Sequence, residues 1–194
     1  MSPKTKKQNE VIRQQSIEAL KQAALTLFAH KGYGNTSISA IAKEANVSKG
    51  LMYNYFDSKQ ALLLAIVEDV SNFVEELIPN MSAESIPPEE QLRNLINGTF
   101  LWVTSNVEYY KLIASLIFQE AALEVMSDFI KLKAKTHIQI GEQLFQKIGY
   151  DNPRIMAFEL GALLDGIFMA HLSLKEFYPL EEMRLFMLKK YDLD

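Results

Sequence analysis

The chain contains no cysteine, which excludes disulfides, a thiol nucleophile and any cysteine-held metal. Histidine is almost as scarce, and His30, His137 and His171 stand too far apart for a paired metal-ligand spacing. Asp165 and His171 are six residues apart, so on one helix they point to different faces, and no glycine-rich loop of the phosphate-cradling kind occurs. Catalysis has little to stand on, and no metal or cofactor is expected. Strand-like alternation is nearly missing, as are repeats and low-complexity tracts. The most apolar long window, Ile155 to Leu174, is interrupted by Glu159, Asp165 and His171, which fits a buried helix better than a membrane span. Met1 to Asn9 is polar and basic, so no signal peptide is expected there and a cytoplasmic protein is.

What remains is apolar residues at helical spacing. Of 194 residues 48% are hydrophobic, ample for one moderate core or two small ones sharing a long helix. Helices are predicted at Ser16–His30, closed by Gly32, and at Ser58–Ile78, a long connecting helix. Further helices are predicted at Glu89–Ser105, Val107–Glu120, Leu123–Lys147, Arg154–Lys175 and Pro179–Tyr191. Pro79 to Pro88 reads as a loop, and Gly149–Pro153 and Phe177–Pro179 as breaks; near Ala121 neither Gly nor Pro marks one. The net charge of −4 is unevenly spread: residues 1–60 hold nine Lys or Arg against four acids, a net of +5, which leaves −9 for the rest. A basic head on an acidic body turns the head toward a polyanion.

Thr36 to Lys59 is the densest signal. Thr36 or Ser37 can cap a short helix carrying Ser39, with Ile38, Ile41 and Ala42 on one face. Glu44 to Val47 is a turn in which Asn46 tolerates a left-handed backbone, and Ser48 caps a second short helix to about Tyr55. Met52 and Phe56 are spaced for burial, which leaves Lys49, Gly50, Leu51, Tyr53, Asn54 and Tyr55 to look outward. Hydroxyls and an ammonium beside a glycine suit the phosphates and groove of double-stranded DNA. Ser58 caps the next helix, and Lys59 in its first turn is a phosphate candidate, with Ser39, Lys49 and Leu51 as base readers.

The run FAHKGYGNTSISAIAKEANVSKGLMYNYFDSKQALL resembles the N-terminal domain of the tetracycline-repressor (TetR) family: an aromatic plus Gly-Tyr, a Thr/Ser pair, Ile-Ala, Val-Ser, Lys-Gly, Tyr, an aromatic before Phe, and Ser-Lys. The match covers roughly Ile12 to Val70, and the chain departs from it at Tyr55, where many members carry His. The resemblance implies an all-α homodimer of about nine helices, with a flexible basic arm at 1–10, a helix-turn-helix DNA-binding domain at 11–57 and an effector-binding and dimerisation domain at 58–194. It implies a transcriptional regulator, most simply a repressor, that holds a palindromic operator and is released by a small apolar or aromatic effector. By position Thr36, Ser37, Ser39, Ser48, Lys49, Gly50, Leu51, Tyr53, Asn54, Tyr55 and Lys59 fall on the family's DNA-contacting sites. The family's dimer seam corresponds in order to the last two helices. There Phe158, Gly161, Ala162, Asp165, Met169 and Leu172 form one stripe and Leu180, Met183, Met187 and Tyr191 another. The aromatic-rich middle offers Phe100, Val103, Tyr110, Phe118 and Phe129 as pocket walls, with Thr99, Asn106 and His137 as polar anchors. A helical dimer that uses DNA as a platform for a protein partner is the alternative reading.

Overall fold

The computed structural model describes residues 5–81 and 86–193, and among these it has nine α-helices, one 3-10 turn and no strand. The helices are α1 (Lys6–Lys31), α2 (Ile38–Glu44), α3 (Lys49–Tyr55), α4 (Lys59–Met81), α5 (Pro88–Ser105), α6 (Val107–Ile117), α7 (Glu120–Ile148), α8 (Pro153–Leu174) and α9 (Leu180–Lys190). All-α architecture is thus as expected, with three differences. First, α1 begins ten residues earlier than its apolar period, because Thr5 and Gln8 form a capping box that starts the helix inside the presumed arm. Second, α4 runs through Pro79 to Met81 and α5 starts at Pro88, which leaves 86–87 as described loop, while 82–85 lie outside the described residues. Third, α6 ends at Ile117 and α7 starts at Glu120, so the unmarked break falls at Phe118–Gln119.

The chain forms two compact units. The first comprises residues 1–70 together with 112–129, and so reaches past the expected boundary at 57 and recruits the α6–α7 turn. Its interior is built from Leu20, Leu25, Phe28, Ile41, Met52, Leu62, Leu63 and Ile66, all fully buried, with Leu116 and Ala122 equally buried in the recruited segment. Lys21 of α1 ties to Asp69 of α4 at 2.8 Å. The second unit comprises 71–111 and 130–194. Its core gathers Leu92, Ile96, Phe100, Val103, Phe145, Leu160, Phe168, Met187 and Tyr191. Where α7 meets α8, Gly141 is required by space: a Cβ there would stand 2.9 Å from the Cβ of Ala157.

Candidate nucleic-acid interface

Two serines set the short helices. Ser37 Oγ accepts from Ala40 N–H at 3.2 Å and Ser48 Oγ from Leu51 N–H at 3.0 Å, so each helix begins where the sequence puts a cap. Between them Asn46 sits at φ 54°, while Asn46 N–H donates to Lys43 C=O and Val47 N–H to Ala42 C=O. This pair of bonds closes α2 in a left-handed cap, the conformation Asn was expected to supply. Met52 and Phe56 are buried, as their spacing requires, and this fixes the rotation of α3. Ser48, Lys49, Gly50, Tyr53 and Asn54 then face solvent, with Leu51 and Tyr55 half-buried; Ser37 and Ser39 are exposed on α2. A Cβ on Gly50 would meet only Ser48 Oγ at 4.0 Å, so nothing in the protomer demands glycine there.

Two expected contact residues are otherwise engaged. Thr36 is 3% exposed, and its hydroxyl donates inward to the carbonyls of Gly32 (2.8 Å) and Leu27 (3.3 Å). Lys59 points its ammonium at the carbonyls of Tyr33 (2.8 Å) and Thr36 (3.0 Å), over the Tyr33 ring at 4.4 Å. Both residues hold the α1–α2 turn. The family pattern could not distinguish this from phosphate contact, because both uses want the same residue at the same place. Conversely, sequence reasoning missed Arg13, whose guanidinium lies 5.8 Å from the Tyr55 ring centre while paired with Glu10 at 3.1 Å. It missed Gln119 as well, whose amide reaches the same α1–α2 turn from a distant part of the chain. No local pattern marks either residue.

In the second unit the expected pocket set divides. Phe100 and Val103 are packed into the core. Thr99 donates to Leu95 C=O and Asn106 to Trp102 C=O, both within α5 or at its end. Tyr110 lies edge-on to Phe168 at 5.9 Å and to Trp102 at 6.4 Å; burial, then the nearby Asp165 charge, pushes its hydroxyl up to about 12. His137 is half-buried. Phe118 and Phe129 belong to the first unit, and Phe118 is 75% exposed. A separate groove of about 550 Å³ is lined by Asn97, Phe100, Leu101, Thr104, Leu180, Glu181 and Arg184, and shares only Phe100 with the expected set. Arg184 is held there by Asn97 and Glu181.

The expected dimer stripe on α8 is largely uncovered: Phe158, Ala162, Asp165 and Met169 are exposed, with Gly161 and Leu172 half-buried. A Cβ on Gly161 would meet nothing within 4 Å, and the Asp165 carboxyl is raised by desolvation. On α9 the expectation is corrected. Met187 is fully buried in the core and Met183 packs against it, so that stripe is interior; the outward apolar residues are Leu185 and Phe186. Apolar residues point to more than one side of α9, and period alone does not say which side the fold buries. No group of three or more potential metal ligands occurs among the described residues.

Residues 20–66 match the family model described as bacterial regulatory proteins, tetR family. The HTH-type transcriptional regulator YuxN of Bacillus subtilis is 36% identical over 102 residues, 53% of this chain and 34% of that protein. YerO, another HTH-type transcriptional regulator of Bacillus subtilis, is 26% identical over 182 residues, 90% of this chain and 63% of that protein. The chain therefore spans about a third and just under two thirds of these two relatives. Among solved structures, SmeT in complex with triclosan superposes with a TM-score of 0.78 at 20% identity, covering 91% of this chain and 89% of that one.

Proposed function

From the match of residues 20–66 to the model of tetR-family bacterial regulatory proteins, we propose that the chain regulates transcription as a homodimer on a palindromic operator. The observation that carries the proposal is the outward face of α3. Its burial through Met52 and Phe56 aims Lys49, Gly50, Tyr53 and Asn54 at solvent, on a helix short enough to enter a major groove. Ser39, Lys49 and Leu51 are the base readers, and Tyr53, Tyr55, Ser37 and Ser48 position the phosphates. Repression follows if the operator overlaps a promoter.

Dimerisation is supported by α8. The most apolar 18-residue window of Pro153–Phe177 has a mean hydropathy of 1.6, enough in length and composition to cross a membrane, yet only 22% of that window is buried within the protomer. With Glu159, Asp165 and His171 along it, a second copy of the same helix is a better cover than lipid. Two heads would then read two half-sites. The effector is small and apolar or aromatic, a reading supported by the aromatic surroundings of Trp102, Tyr109 and Tyr110 and by the likeness to a triclosan-bound fold. It acts by favouring one arrangement of the heads over another.

Selection of bound duplexes from random DNA tests the proposal. Enrichment of an inverted repeat is expected, and Lys49→Ala should relax the base preference at the position it reads, at a cost of about 1–3 kcal/mol. Recovery of unenriched sequences by the purified chain would refute it.

A further inference from the structure

Gln119 is the sole residue of the α6–α7 junction whose side chain spans a backbone donor and a backbone acceptor of the α1–α2 turn. Its Oε1 accepts from Tyr33 N–H at 2.8 Å and its Nε2 donates to Phe28 C=O at 3.0 Å, across 86 and 91 residues of sequence. Its own backbone is fixed too. Gln119 N–H donates to Leu116 C=O at the end of α6, and Gln119 C=O accepts from Ala122 and Leu123 N–H at the start of α7. The amide is therefore a rigid bracket between the end of one helix, the start of the next and the turn that precedes Ser37. The other side of that turn is held by Lys59 through Tyr33 and Thr36 C=O, so α4 is not its only tether.

Both helices that meet at Gln119 continue out of the first compact unit: α6 enters it from Val107–Lys111 and α7 leaves it from Ile130 onward. We infer that Gln119 is a coupling latch, a positioning residue through which a shift of α6 or α7 is delivered to the α1–α2 turn, and from there to the caps of α2 and α3, independently of the long helix α4. The inference rests on the DNA-binding reading above. A side chain that merely filled space would make neither bond, and both are lost together if the turn moves away from the junction, because a hydrogen bond holds only within a narrow range of distance and angle. Linkage makes the coupling reciprocal: if α6 and α7 bias the turn, then DNA held by the head must stiffen residues 112–129.

Hydrogen exchange on the full chain, with and without its selected duplex, reads this directly. In the wild type, DNA should slow exchange in segment 112–129 by about fivefold or more, the low end of ordinary allosteric coupling. Gln119→Met keeps the reach and the packing but neither hydrogen bond, and should abolish that protection while still binding the duplex. Gln119→Glu keeps the acceptor for Tyr33 N–H and sets a carboxylate against Phe28 C=O, so it should show the same loss. Wild-type protection of 112–129 in either variant, on a chain that still binds the duplex, would overturn the latch. Failure of the wild-type chain to select any duplex would instead overturn the DNA-binding reading beneath it.

Discussion

Lys59 shows how one residue can satisfy two readings. Its position and charge suit a phosphate, yet in the structure two of its three ammonium hydrogens go to Tyr33 and Thr36 carbonyls. Charge-assisted bonds of this kind are worth about 1.5–3 kcal/mol each when intact, and less at a half-exposed site. Lys59→Ala is therefore expected to cost stability, on the order of 1–3 kcal/mol by chemical denaturation, and to leave the salt slope of operator binding unchanged. A slope reduced by one counterion at wild-type stability would return Lys59 to the phosphate. Residue identities in the head were legible in the sequence because serine caps, the Asn46 turn and the Met52–Phe56 spacing each have one local cause. The inward turn of Thr36 and Lys59 was not, since it depends on carbonyls freed in the α1–α2 turn. Arg13 and Gln119 were illegible for a simpler reason: their partners lie 42 and up to 91 residues away.

At the scale of elements, two substitutions test why helices end and how closely they pack. Asn46 holds φ 54° in the cap between α2 and α3, where β-branched residues are strained. Asn46→Val should cost roughly 1–2 kcal/mol, while Asn46→Gly should be neutral or slightly stabilising, measured by urea unfolding. Equal stability of the two variants would mean that the cap relaxes. In the second unit, Gly141→Ala places a methyl 2.9 Å from Ala157 Cβ, and overpacking of this kind costs about 1–3 kcal/mol. Ala157→Gly in the same chain should restore much of the loss, because it removes the colliding atom; a double variant no better than the single would locate the strain elsewhere. Helix existence was readable from period throughout, but helix ends were readable only where a cap residue marks them. Thr5 is a marker that apolar counting passed over, and the α6–α7 junction bears none.

For the whole molecule, the exposed apolar residues of α8 and α9 set the main expectation. Phe158 is 50% and Phe186 58% exposed in the protomer. Phe158→Glu should convert a dimer into monomers in sedimentation equilibrium and lower the concentration dependence of Tm, since a dimer's stability follows mass action. A dimer unaffected by Phe158→Glu would place the seam on another face. The order of helices in the family points to this region, but Met187, expected at the seam, is fully buried within the chain's own core, because whether a stripe is core or seam is decided by neighbours elsewhere in the chain. The compact unit that carries α3 is itself discontinuous, being completed only by residues 112–129, where Leu116 and Ala122 are fully buried and Gln119 grips the turn. During synthesis at about 5–20 residues per second, the ribosome must add roughly sixty residues after Val70 before that completion is possible, a delay of roughly 3–12 s. Over that interval the nascent α3 waits on an unfinished scaffold, so a chain that stalls before residue 129 would leave the ribosome with the unit that carries α3 incomplete.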